Sequence, residues 1–272
     1  MLRAVAAIAA QPLTEETMTA SLATAETFRS LHQPGRPLVL FNIWDAGSAK
    51  AVAAAGAPAL ATGSWSVAAA NGYADGEQIP LDAALANLRR IVAATSLPVT
   101  IDLESGYGDS ADDVGRTVAA AIAAGAVGCN LEDSVPADGR LRPLDEAVAR
   151  IAAARAAAAA SGIPFFVNAR SDVFFQSPAD THDAATVAAA QKRANAYAAA
   201  GADGIFVPGL VSAALIADFV RASPLPVNVM IGSGSPSNAA LAAAGVARIS
   251  HGPGPYLAAM KAVQQAATAL YA

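Results

Sequence analysis

The chain has 272 residues, 54% of them hydrophobic with alanine dominant, only 14% charged, and a formal net charge of −5. That length and hydrophobicity exclude disorder and allow one large core, and the acidic balance excludes a nucleic-acid or anionic-membrane surface. The single cysteine, Cys129, excludes an intramolecular disulfide; inside a predicted strand it reads as a small core hydrophobe, with a nucleophile as the alternative.

Met1-Leu2-Arg3 followed by Ala4 to Ala10 imitates a signal-peptide core, but Gln11-Pro12-Leu13-Thr14-Glu15-Glu16 follows without a convincing small-residue cleavage site. We therefore expect an extension before a natural start near Met18, and a cytoplasmic protein. No apolar run of about 18 residues lies outside the alanine-rich helical pattern, so no membrane span is predicted. Residues 1–36 are assigned to the extension and a leading helix, and residues 37–272 to one catalytic domain.

Eight β-like runs then recur: Leu38–Trp44, Ala59–Ser64, Val99–Glu104, Gly128–Asp133, Pro164–Arg170, Gly204–Gly209, Pro226–Met230 and Ala247–Gly252. Helical periods separate them, with Leu81, Leu85, Leu88, Ile91 and Val92 on one face and Val114, Val118 and Ile122 on another. Ser110 reads as an N-cap, Pro143 as a first helical residue, and Gly125 and Gly162 as C-caps. Repeated strand–helix units predict an α/β fold, a (β/α)₈ barrel. A doubly wound sheet is disfavoured because no G-x-G-x-x-G turn follows the first strand.

In such a barrel the polar residues at the strand ends, Asp45, Ser64, Asp102, Glu104, Glu132, Asp133, Arg170, Asp172, Asn228 and His251, converge on one mouth. Strand alternation points Asp102 and Glu104 the same way and Glu132 and Asp133 opposite ways. Carboxylates gathered there repel one another unless a cation sits between them, and hard oxygen ligands suit Mg²⁺ or Mn²⁺ rather than zinc. For any single one, helix capping or ion pairing stays open. Arg170 offers a forked donor for an anion, or a structural bridge to Asp172 or Glu132. Lys50, Lys192 and Lys261 fall in predicted outer helices, so no Schiff-base lysine is available. His251 alone among the histidines follows a strand, where it packs a loop or touches ligand. The long connection Trp65–Pro80, with Asp75 between Gly72 and Gly76, reads as a lid.

Three stretches, Asp102-Leu103-Glu104-Ser105-Gly106-Tyr107-Gly108, Leu131-Glu132-Asp133 and Asn168-Ala169-Arg170-Ser171-Asp172, stand in an order and spacing that resembles the isocitrate lyase/phosphoenolpyruvate mutase superfamily. The likeness extends over nearly all of residues 37–272. It implies a Mg²⁺-dependent enzyme that makes or breaks a bond alpha to a carboxylate through a pyruvate-like enolate. By this resemblance Asp102 ligates the metal, with Glu104 and Glu132 holding it directly or through water. Arg170 binds a carboxylate or phosphonate, Asp75 is the lid aspartate used in catalysis, and the backbone near Ser64, Trp65 and Ser66 donates hydrogen bonds to the 2-oxo acid's carboxylate. Asp45 is grouped with the substrate-binding residues. The resemblance also implies a homo-oligomer, a dimer of dimers, with the last helix, Tyr256–Tyr271, swapped onto a neighbour.

Two departures narrow the activity. The K-[KR]-C-G-H lid of isocitrate and methylisocitrate lyases is replaced by Ser134-Val135-Pro136-Ala137-Asp138-Gly139-Arg140-Leu141-Arg142-Pro143. The same loop is shorter than in phosphoenolpyruvate mutases and lacks their Lys-Thr-Asn segment. The expectation is a C–C lyase for a small 2-oxo or 2-hydroxy acid, oxaloacetate decarboxylase/hydrolase-like or alkylmalate lyase-like. P–C bond chemistry is the enzymatic alternative, and a non-catalytic metal-binding barrel is the alternative of another class.

Overall fold

The computed structural model describes residues 15–272. The extension expected before Met18 lies, up to residue 14, outside the described residues, and a helix, α1 (Glu15–Ser30), begins at Glu15. Strand–helix units follow: β1 (Leu38–Leu40) and α2 (Ala46–Ala54); β2 (Leu60–Ala61) with α3 (Ser64–Ala70) and α4 (Leu81–Ala93); β3 (Val99–Asp102) and α5 (Ala111–Ala123); β4 (Gly128–Glu132) and α6 (Leu144–Ser161). Then come β5 (Phe166–Arg170) and α7 (Ala184–Ala199), β6 (Gly204–Phe206) and α8 (Ala213–Ala222), β7 (Val227–Met230) and α9 (Asn238–Ala243), and β8 (Arg248–Ser250) and α10 (Gly254–Tyr271).

All strand pairs are parallel, in the order β1-β8-β7-β6-β5-β4-β3-β2. A single bridge, Ile43 to Thr62, closes β1 onto β2 just beyond their strand ends. The fold is the (β/α)₈ barrel expected from the strand–helix repeat. Among the described residues no helix is long and apolar enough to cross a membrane.

Local chemistry sets the elements. Ser110 caps α5 with a reciprocal bond to Asp113, and Gly162 ends α6 at φ 71°, a conformation that costs a glycine little. Pro143 is the N-cap of α6, one residue before the position expected of it. Leu85, Leu88 and Ile91 of α4 and Val114, Val118 and Ile122 of α5 are buried against the barrel wall, as their helical spacing requires.

The leading helix belongs to the same core. Ala25 and Phe28 of α1 are fully buried, the Phe28 ring meets Phe166 edge-on at 5.8 Å, and His32 stacks on Phe166 at 3.9 Å. Truncating Phe28 to alanine here costs about 3–5 kcal/mol. Along β4 the alternation is clean. Cys129 and Leu131 join the apolar layer, while Asn130 reaches Asn168 on β5 and Arg248 on β8, across the barrel axis.

Candidate active site

Asp102 ends β3 at the mouth. Its Oδ2 accepts the Ser64 hydroxyl at 3.1 Å and the Ser64 amide at 3.4 Å, and its Oδ1 accepts the Glu104 amide at 3.3 Å. A cavity of about 170 Å³ opens beside it, lined by Ser64, Trp65, Asp75 and Arg170 together with Asn42, Asn130, Phe175, Phe206, Met230, Ser250, Gly252 and Pro253. Thus Asp75, Asp102 and Arg170, spread over 96 positions of sequence, face one small space.

Arg170 is held flat by two carboxylates. Its Nη1 lies 2.8 Å from Glu132 Oε2, and its Nε and Nη2 donate to Asp172 at 2.6 and 3.0 Å. Burial works against this guanidinium, but Glu132 and Asp172 more than offset it and raise its pKa. Burial pushes the Glu132 carboxyl upward against the pull of Arg170, and the 2.8 Å contact keeps the two as an ion pair. Arg170 is the structural bridge between Glu132 and Asp172, and it also lines the cavity.

The lid departs from the expectation in part. Trp65 to Ala70 belong to α3, so the irregular segment is confined to residues 71–80. That segment is fastened down, because the Gly76 and Glu77 amides donate to Glu104 Oε2 at 2.8 and 2.6 Å. Gly72 and Gly76 sit at φ 78° and 88°, which lets the chain turn on either side of Asp75. Although much of Asp75 is open to solvent, its carboxyl faces the cavity. Burial of that carboxyl and then repulsion from Asp102 raise its pKa, against Arg170 and hydrogen bonds from Ser64 and Gly76.

Two residues singled out in the sequence behave otherwise than expected. Glu104 does not continue the strand alternation: its backbone turns left-handed at φ 52°, and its carboxylate is engaged by the lid amides and by the Tyr107 hydroxyl at 3.1 Å. Asp45 does not line the cavity; its carboxylate caps α2 through the Ser48 amide at 2.7 Å. The Asp45-Ala46-Gly47-Ser48 spacing already carried that signal. Ser64 and Trp65 line the cavity, while the Ser66 side chain is fully buried, which leaves its backbone as the part the expectation concerns.

Asp133 points away from the mouth, as alternation requires, and accepts bonds from Ser171, the Asp172 amide, Arg193 and Tyr197. His251 packs on Phe41 rather than lining the cavity. Asn42, Phe206 and Met230 were missed; each is an inward residue at a strand end, found only by counting alternation back from the mouth.

Among the described residues no three His, Cys, Asp or Glu side chains stand close enough to hold a metal ion unaided. The donor chemistry nevertheless suits Mg²⁺, which keeps several waters and takes one or two carboxylates plus substrate oxygens. Asp102 lines the cavity, Glu104 shares an adjoining cleft with it, and Glu132 pairs with Arg170, so the three do not form a closed cage.

The phosphoenolpyruvate phosphomutase family profile matches residues 28–271. The chain belongs to that family. It is an enzyme of the isocitrate lyase/phosphoenolpyruvate mutase type, whose members are lyases and mutases. A 2-methylisocitrate lyase of Escherichia coli strain K12 is 33% identical over 73% of this chain and 70% of its own. The crystal structure of a candidate phosphonomutase from Burkholderia cenocepacia J2315 superposes with a TM-score of 0.89 at 60% identity, covering 91% of this chain and 98% of that one. A phosphonopyruvate hydrolase solved with oxalate and Mg²⁺ superposes with a TM-score of 0.76 at 25% identity, covering 89% and 84%.

Proposed function

We propose that this family member cleaves a C–C bond of a small 2-oxo or 2-hydroxy carboxylic acid, with oxaloacetate and alkylmalates as the substrate types. The observation that carries this reading is the pairing of one polar floor, Asp75, Asp102 and Arg170, with an apolar wall of Trp65, Phe175, Phe206 and Met230. Among the described residues Arg170 is the one cationic side chain lining that cavity, and Glu132 and Asp172 already share its charge. That leaves enough for one carboxylate but is poorly matched to a phosphonate dianion.

The phosphonopyruvate hydrolase with oxalate and Mg²⁺ supports the same metal here, which Asp102 would hold together with Glu104 and Glu132. Such an ion supplies Lewis-acid polarisation of the chelated 2-oxo acid. Ser64 keeps Asp102 oriented from both its amide and its hydroxyl. The Trp65 and Ser66 amides in the first turn of α3, left without a side-chain cap by Gly63, are free to receive a carboxylate. Arg170 anchors the anionic end. Asp75, its carboxyl pushed toward the protonated form, moves the proton at the carbon freed by cleavage. The apolar wall excludes water from that carbon.

A second reading, P–C bond chemistry, is favoured by the family's name and by the 60% identical candidate phosphonomutase. Turnover of oxaloacetate, alkylmalates and phosphonopyruvate with Mg²⁺ separates the two. The expected result is cleavage of an oxaloacetate- or malate-type acid, with Asp75→Ala lowering kcat while oxalate still binds. Turnover of phosphonopyruvate alone overturns the C–C reading, and no turnover of any of the three together with an inert Asp75→Ala favours a non-catalytic barrel.

A further inference from the structure

One side chain on the cavity floor has no role in the chemistry above. Asn130 is paired in register with Asp102 on β3 and with Asn168 on β5, so it sits beside the expected metal ligand. Its Oδ1 accepts from Asn168 Nδ2 at 2.9 Å and from Arg248 Nη2 at 3.2 Å. A guanidinium can only donate, so the atom facing Arg248 must be the oxygen and the orientation of the amide is decided by chemistry. Its Nδ2 has no protein acceptor among the described residues, and it is not sealed in the core. Asn130 is 4% exposed, and the space it meets is the cavity.

Beneath it lies a second unusual group. Arg248 is 0% exposed, and among the described residues no carboxylate lies within ion-pair distance of it, Asp102 acting on its charge only from farther off. Its Nε and Nη1 have no partner, and its one hydrogen bond among the described residues goes to Asn130 Oδ1. Burying an unpaired cation is a costly way to fill a barrel, yet this one turns the Asn130 oxygen inward and leaves the nitrogen for the mouth. The neighbouring polar groups Asp75 and Asp102 are both acceptors when ionised, so a neutral donor at this point complements them.

We propose that Asn130 is a ligand-binding residue whose side-chain NH₂ donates a hydrogen bond to an oxygen of the bound acid, with Arg248 as the residue that positions it. The inference rests on the reading of this cavity as a site for a small 2-oxo acid. A preorganised donor at an oxygen that gains negative charge during cleavage also favours the reaction itself.

The test is calorimetric titration of oxalate in the presence of Mg²⁺, with thermal melting of each protein. Asn130→Asp still accepts from Asn168 and gives Arg248 a counter-charge, so its Tm is retained or raised while oxalate binds at least about tenfold more weakly. Asn130→Ser controls for the added charge: it is neutral, keeps an oxygen, and is too short to reach the ligand. A loss of at least about fivefold is expected there as well. Arg248→Met should melt no lower than wild type and yet weaken oxalate by about threefold or more. A folded Asn130→Ser protein that binds oxalate within about twofold of wild type overturns the proposal, and the same result for Arg248→Met overturns the positioning role. A wild-type protein that does not bind oxalate with Mg²⁺ counts instead against the proposed function.

Discussion

Glu77 and Glu104 each grip the loop that carries the other. Glu104 Oε2 accepts the Glu77 amide at 2.6 Å, together with that of Gly76, while Glu77 Oε1 accepts the Tyr107 amide at 2.8 Å and the Ser105 hydroxyl at 2.7 Å. The lid and the loop leaving β3 are thereby clasped from both sides. Glu77, Glu104 and Tyr107 all adopt positive φ, at 60°, 52° and 56°. Each such residue costs about 1–3 kcal/mol, so the clasp must over-determine their conformations. The consequence is positional, since Asp75 lies two residues before Glu77 and inherits its placement.

Glu77→Ala removes half of this clasp. Two hydrogen bonds to a charged acceptor, at about 1.5–3 kcal/mol each, are lost. Residues 71–80 should become markedly more sensitive to limited proteolysis, and kcat should fall by about tenfold or more as Asp75 loses its placement. Unchanged cleavage kinetics with unchanged kcat would show that the lid is held elsewhere.

Burial, with repulsion from Asp102 and Asp75 adding to it, lifts the Glu104 carboxyl from 4.5 to about 7 against the lid amides. Between those values the folded protein holds a proton that the unfolded chain has released, so stability falls as pH rises through the window. The full effect is about 3 kcal/mol. In urea titrations of metal-free protein from pH 4.5 to 7.5, Glu104→Gln should flatten this decline. Glu132, Asp75 and Asp133, also raised, leave a residual slope of the same sign. Identical slopes for wild type and variant would mean that Glu104 does not titrate in this range.

Arg170→Lys keeps the charge but cannot hold Glu132, Asp172 and a ligand in one plane. The expected loss in kcat/KM is about 1.5–3 kcal/mol, carried mainly by KM if the anchor binds ground state and transition state alike. Steady-state kinetics on the substrate found by the acid panel measure it. A value equal to wild type would confine Arg170 to bridging the two carboxylates.

Helix α10 leaves the barrel with only Pro255 buried. Leu257, Met260 and Val263 are 51%, 39% and 61% exposed, an uncovered apolar stripe at helical spacing. Sedimentation at micromolar concentration should give a species larger than the monomer, as expected of the swapped last helix. Leu257→Asp with Val263→Asp should return it to monomers. A monomeric wild type would rule out that expectation.

What was legible in the sequence was local. Strand alternation alone separates Glu132, which pairs with Arg170 at the mouth, from Asp133, which ties β5 and α7 together on the outside. Capping spacing gives Ser110 its role and would have given Asp45 its own. The repeat of strand and helix gives the barrel, because its ladders join neighbours in sequence all the way from β2 to β8. What closure of the ring decided lies beyond any local rule. Asn130 meets Arg248 across 118 positions, Asn42 accepts the His251 and Gly252 amides just after β8, and Phe206 and Met230 become the wall opposite Asp102. Glu104 shows the limit most directly. Its alternation predicted a carboxylate aimed with Asp102, but a strand ends where its ladder ends, and beyond that point lid amides 28 positions away determine where the side chain goes.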